Sequence, residues 1–479
     1  MSVIIDALQS NRRNHKVTLL EMTGYGTGFF GYGFITQMIT SYFVFYATVL
    51  LKLPGSIVGL VFALSVIWDA VSDPIMGYLS DHTYSRYGKR HLYIVIGTIG
   101  IVFSNLILWQ VSANATDLVK FLWILSSIMV IKTFITIFIT PYNALGAELS
   151  NDYHERSKIQ GIKTVYFLIA LVIVTAVCMF VFFKPTPLYP IGQLNPLAYR
   201  NIAVMSSIIM LITGIVTHMS TKRFIDFGEH AVDIRSTLSL GNFIRESKYS
   251  LQDKDFRHVF FGYMYTNLAS AIVSVVGLHT FTYTFNMSNY EIGIIFGVQF
   301  FFSIASQPFW IALARKIDKK RAVITGLKVC MTACLILFFF VIQMDLIHVN
   351  FLYLLIYAII VGFGTSGLFS IPLSMLADTV DQQEFNTGNR NEGVYFGMLN
   401  FGYKFSQSLA VLILGVVLDL IRFDSNLPVQ GRTTLFLLGT LLSLGGLLAF
   451  VLSSISYKNY SIDENRVREM QISILRRKH

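Results

Sequence analysis

Long apolar runs separated by short polar breaks dominate this chain, and the apolar residues are not confined to one face at a period of two or of 3.6. About 20 such residues cross roughly 30 Å of hydrocarbon. About twelve runs reach that length: 22–51, 56–80, 92–111, 118–146, 158–184, 199–220, 256–286, 290–316, 321–343, 349–377, 393–420 and 432–457. Each predicts a transmembrane helix. The first, fourth, seventh and tenth are long enough to tilt or bend. The polar stretch 221–255 separates six runs from six, which predicts an N-terminal bundle over 1–220, a central loop over 221–255, a C-terminal bundle over 256–457 and a tail over 458–479.

Composition supports this reading. The chain has 479 residues, 54% apolar and only 13% charged, with a mean hydropathy of +0.60. Disordered tails, coiled coils and ordinary cytosolic enzymes are excluded. The excess of 37 Lys+Arg over 27 Asp+Glu, +10, sits in short loops and is no sign of nucleic acid. The basic loops are the N-terminal tail, 82–91 with Arg86, Lys89 and Arg90, 221–255, 315–321 and the C-terminus. Cations stay on the cytoplasmic side of a membrane protein, so both termini are expected there. No cleaved signal is expected, because the first run is too long and too polar. Cys178, Cys330 and Cys334 lie within apolar runs and predict buried packing rather than disulfides.

Charges inside the runs are the chemically informative residues. Each costs roughly 2.5–3.5 kcal/mol near mid-membrane, so such groups persist when paired, hydrated or protonated, and they mark a solute or ion pathway. Asp69 and Asp73 stand one turn apart on one helix face in the second run. Two carboxylates that close do not both stay ionised unless a cation lies between them or one takes a proton. Their hard oxygens suit Na⁺, Li⁺ or H⁺; Ser72 offers another oxygen, and Pro74 frees the Ala70 carbonyl. Lys132, deep in the fourth run with Thr136 and Ile139 on its face, is expected to pair with Asp69, Asp73 or an anionic substrate. Lys404, beside Tyr403 in the eleventh run, is a second candidate counter-charge. Gly26-Thr27-Gly28-Phe29-Phe30-Gly31 matches a dinucleotide fingerprint, but no strand precedes it, and close helix packing is the expectation. No Walker A, HExxH or nucleophile-elbow motif occurs.

Three separated motifs carry a family resemblance. The Gly77, Asp81, Arg86, Gly88, Lys89, Arg90 loop resembles the loop after the second helix of the major facilitator superfamily, and 314–321 repeats it weakly in the second half. Trp68 to Gly77, Thr140 to Leu149 with Glu155-Arg156, and Pro372 to Lys404 resemble the glycoside–pentoside–hexuronide:cation symporters, the melibiose-permease branch. The resemblance implies a major facilitator fold of twelve helices in two pseudo-symmetric six-helix bundles. It implies a cation site at Asp69, Ser72, Asp73 and Thr136, with Na⁺ a candidate at the two aspartates and Lys404 close by. It further implies cytoplasmic gate charges at Asp81, Arg86, Lys89, Arg90, Glu148, Asp152 and Arg156.

Departures from that branch bear on the substrate. Gly33 and Ile139 replace the permease's two sugar-gripping aspartates, Lys163 stands at its fifth-helix Arg, and Lys132 takes a small-residue position. Two lost anions and an added cation point from melibiose towards an acidic or phosphorylated substrate, such as a hexuronide or acidic glycoside. Tyr32 and Tyr403 join these as candidate substrate contacts. The expectation is therefore a monomeric plasma-membrane symporter (inner membrane in a bacterium) with no cofactor beyond its coupling cation. It takes a small-molecule substrate, works by alternating access and is not an enzyme. A sodium-dependent lysophospholipid symporter and a non-transporting membrane sensor are the alternatives.

Overall fold

The computed structural model describes residues 17–81, 83, 85, 87–150, 153–225, 245, 248–344, 351–388, 392–424, 427 and 430–478. Among these residues there is no strand. Eleven helices among the described residues are long and apolar enough to cross a membrane, and twelve if the bent pair Asn289–Ala305 and Gln307–Ile317 counts as one span. That pair bends by 43° at Ser306, where Pro308 at the start of the second segment brings no backbone N–H to continue the ladder. Within the first run Leu19–Met38 gives way to π-helical turns at Ile39–Phe43 and Tyr46–Leu50.

The chain forms two compact units, Met1–Tyr46 with Leu64–Leu238, and Ala47–Ala63 with Ser239–His479. The first unit contains α1 (Leu19–Met38), most of α2 (Gly55–Asp81), α3 (His91–Leu108), α4 (Asp117–Glu148), α5 (Tyr153–Val172) and α6 (Pro196–Ser220). Its packing answers the glycine motif. A Cβ at Gly24, Gly28 or Gly31 would collide with Ser220, Thr217 or Thr213 of α6, and one at Gly26 with Tyr166 of α5. The fingerprint is thus a helix-crossing surface, as expected of small residues where lipid supplies no hydrophobic drive between helices. Polar contacts add to it: Asn105 donates to the Ala203 carbonyl at 3.0 Å and to the Ser206 and Ser207 hydroxyls at 2.9 Å.

The second unit contains α7 (Lys254–His279), α8 (Asn289–Ala305), α9 (Gln307–Ile317), α10 (Lys319–Ile342), α11 (Phe351–Thr387), α12 (Glu392–Leu420), α13 (Arg432–Thr440), α14 (Gly446–Lys458) and α15 (Glu464–Lys478). Cys330 and Cys334 are buried in its core, as Cys178 is in the first unit, and all three are free thiols. The hairpin Ala47–Ala63 belongs to this unit because of backbone proximity and one carboxylate. A Cβ at Gly59 would lie 2.8 Å from the Leu412 Cα, and Gly55 abuts the backbone of Gly415. Asp419 then accepts from the Gly55 and Ser56 N–H groups at 2.8 and 2.9 Å. These are the donors that a helix start leaves without an intrahelical partner. Asp419→Ala should therefore cost about 1 kcal/mol, read as a lower melting midpoint in detergent. Asp419→Asn keeps an acceptor and should lose less; equal losses would remove the cap from the account.

Candidate functional site

Asp69 and Asp73 on α2 and Lys132 and Thr136 on α4 each have the four-residue spacing that places a pair on one helix face. The two pairs meet as two rungs. On the first, Lys132 Nζ donates to Asp69 Oδ2 at 3.0 Å, and Asp69 is only 1% exposed. On the second, the Thr136 hydroxyl donates to Asp73 Oδ1 at 2.8 Å and accepts from the Ser72 hydroxyl at 3.4 Å. Of the partners open to Lys132, the structure selects Asp69. Trp68 locks the register from the neighbouring position, its indole N–H donating to Thr133 Oγ1 at 2.8 Å. A carboxylate, two hydroxyls and a second carboxylate held by an ammonium make an oxygen-rich set suited to a hard monovalent cation. Among the described residues no group of three or more His, Cys, Asp and Glu side chains could hold a metal ion.

An aromatic wall stands in the same unit. Phe29 and Tyr32 of α1 stack at 5.3 Å between centroids, and Phe167 of α5 meets Phe29 at 4.9 Å. Tyr142 of α4 continues the stack, 6.1 Å from Phe29 and 4.4 Å from Tyr25. Lys163 Nζ lies 4.7 Å from the Phe29 centroid and donates to Asn143 Oδ1 at 3.0 Å. Among the described residues Lys163 makes no ion pair, so its charge is held only by an amide oxygen and a ring face. Tyr32 closes this wall on α1 by stacking on Phe29. Where the family resemblance puts acids, this chain has apolar fill. A Cβ at Gly33 would lie 2.6 Å from the Phe167 ring, and Ile139 is buried.

On the side of the basic loops, Arg90 donates to Glu148 Oε1 from Nε at 3.2 Å and Nη2 at 2.9 Å, and to the Ser80 hydroxyl at 2.7 Å. Lys89 is 3.7 Å from the same carboxylate. Of the remaining expected gate residues, Arg86 and Asp152 and the side chains of Asp81 and Arg156 lie outside the described residues. The second unit repeats the device: Lys319, the first residue of α10, donates to both oxygens of Asp378 at 2.8 and 2.6 Å, and Tyr460 donates to Asp378 at 3.2 Å. Each turn holds a residue with positive φ, Gly88 at 85° and Asp318 at 79°. Asp378→Asn removes the negative charge and one of the two oxygens that accept from Lys319, on a side chain only 8% exposed. It should cost about 1.5–3 kcal/mol, the range for bonds to charged groups, checked by thermal unfolding in detergent; an unchanged midpoint would contradict this.

Lys404 and Tyr403 lie half-buried on α12 of the second unit. Phe29, Asn143, Ser80 and Phe167 were not singled out from the sequence as site residues. Asn143 follows Thr136 by seven, so extending the Lys132, Thr136, Ile139 stripe by one turn reaches it.

Comparison with known proteins adds kinship to this geometry. The family model described as MFS/sugar transport protein matches residues 24–464. A symporter of Synechocystis sp., itself uncharacterized, is 24% identical, covering 84% of this chain and 86% of its own. The sodium-dependent lysophosphatidylcholine symporter 1 of Gallus gallus is 23% identical over 84% of this chain and 79% of its own. Among solved structures, the nucleoside transporter NupG superposes with a TM-score of 0.61 at 17% identity, covering 91% of this chain and 99% of that one.

Proposed function

The chain belongs to the MFS/sugar transport protein family, and from that premise we propose that it is a cation-coupled symporter of an acidic, sugar-like solute, of the glycoside–pentoside–hexuronide kind. Membership makes it a multi-pass plasma-membrane transporter with the major facilitator fold, not an enzyme, and sets aside the non-transporting sensor. What carries the finer reading is Lys163, an ammonium without a carboxylate partner among the described residues, set against an aromatic wall. Sugar rings stack on such faces through their C–H surfaces, and a uronate adds the anion that Lys163 lacks. The Asp69/Asp73 rungs supply the coupling site: a cation there neutralises the charge left by two acids and one ammonium, and a neutral site crosses hydrocarbon at less cost.

The test is uptake of glucuronides and neutral glycosides into liposomes containing the purified protein, under Na⁺, Li⁺ or proton gradients. Uronide accumulation driven by one of these gradients is the expected result. In Asp73→Asn the protein should still insert and equilibrate solute, but accumulation above equilibrium should be lost. If Asp73→Asn concentrates solute as well as the parent does, the cation role of this dyad is wrong.

A second reading has its own support. The likeness to a sodium-dependent lysophosphatidylcholine symporter fits the same cation and aromatic wall, with a phosphate head in place of the uronate. Uptake of a lysolipid with no response to uronides would favour it.

A further inference from the structure

We propose that Lys132 is a tethered counter-cation that competes with the coupling ion for Asp69 and so sets the affinity of the cation site. This rests on the cation-coupled reading above and goes beyond it by assigning the residue that tunes coupling. The two rungs are unequal. On the second, Asp73, Thr136 and Ser72 offer three side-chain oxygens linked by hydroxyl hydrogen bonds of 2.8 and 3.4 Å. That is few for a hard cation, which gathers a larger oxygen shell around itself. The next oxygens along the α2 face belong to Asp69, and there Lys132 Nζ already sits at 3.0 Å.

An ammonium and an alkali cation carry the same charge, so Lys132, bonded to Asp69 Oδ2, takes that oxygen from the cation's shell and repels a cation at the other. The side chain of Lys132 is 21% exposed and that of Asp69 only 2%, so the ammonium covers the carboxylate from the accessible side. Its flexible four-carbon stem lets it withdraw without moving the backbone. Competition of this kind is a coupling free energy between two ligands of one group, one of them covalently attached.

The experiment is equilibrium binding of radioactive Na⁺ to the purified full-length protein in detergent, with choline replacing Na⁺ at constant ionic strength. Trp68, beside Asp69 and bonded to Thr133, offers a fluorescence readout of the same event. Lys132→Met should bind Na⁺ about 5–150-fold more tightly than the parent, the usual span of coupling between sites. Lys132→Arg, which keeps the charge, should bind as weakly as the parent. Lys132→Gln stands in if Lys132→Met fails to yield a monodisperse protein. Equal Na⁺ affinity in parent and Lys132→Met overturns the proposal and leaves cation coupling standing. Absence of Na⁺ binding in every variant also overturns it. The cation-coupled reading falls with it only if solute uptake in liposomes ignores proton and Li⁺ gradients too.

Discussion

Neutralising Asp69 alone, as Asp69→Asn, should destabilise the protein by about 3–5 kcal/mol, the usual cost of breaking a buried ion pair from one side. The reason lies in what remains. Lys132 keeps its charge deep in α4, its 3.0 Å partner gone. Lys132→Met should be at least as costly, because the carboxylate it strands is 1% exposed. The double variant, Asp69→Asn with Lys132→Met, should recover most of the loss, since replacing a whole buried pair by neutral groups is often close to thermoneutral. The double-mutant cycle read by unfolding in mixed micelles gives the coupling directly. Additive losses would mean that the pair does not hold the two helices together. The same set separates stability from coupling: under the proposed cation reading, the double variant should fold well yet show altered cation dependence, because the Asp69 carboxylate charge and the Lys132 ammonium are lost together.

The charged site was largely legible in the sequence because lipid makes charge expensive. In a soluble protein two aspartates four apart would be an ordinary exposed face; inside an apolar run Asp69 and Asp73 had to have a reason. The same logic made Lys132 conspicuous, and Thr136 followed from its spacing. Partner choice was not legible, since Asp69 and Asp73 lie on one face and only the axial register of α2 against α4, fixed in part by the Trp68 to Thr133 bond, decides which rung Lys132 joins. The aromatic wall was also hidden. With 40 Phe and 24 Tyr in the chain, nothing in composition or spacing distinguishes Phe29 and Phe167 from rings that face lipid. Of the fold, the apolar runs marked the spans, while the break at Ser306 needed Pro308 to be read as a bend rather than as one more residue of a continuous run. The basic-loop repeat was visible as charge, but its second copy uses Asp318 where the first uses Gly88 to reach positive φ. That substitution weakens the motif in sequence and keeps the turn.

Replacing Lys163 should change what the protein carries more than how much of it folds. The Lys163 ammonium is bound by one amide oxygen at 3.0 Å and one ring face, so Lys163→Met leaves no buried carboxylate stranded and should cost little stability. For an acidic solute it removes a charge-assisted bond of about 1.5–3 kcal/mol, equivalent to about a ten- to hundredfold loss in apparent affinity. For the corresponding neutral glycoside the same substitution should be nearly silent, because the aromatic wall of Phe29, Tyr32 and Phe167 remains. Lys163→Arg keeps the charge but carries a planar fork in place of a compact ammonium, and should retain acid preference with reduced affinity. The measurement is competition: uptake of a labelled uronide, inhibited by unlabelled uronide or by its amide, in parent and variant liposomes. The decisive quantity is the ratio of the two inhibition constants, which cancels differences in protein insertion. A ratio that collapses towards one in Lys163→Met and survives in Lys163→Arg places the anion at Lys163. A ratio that is unchanged in Lys163→Met moves acid recognition elsewhere and, with it, removes the main physical ground for preferring an acidic solute over a neutral sugar.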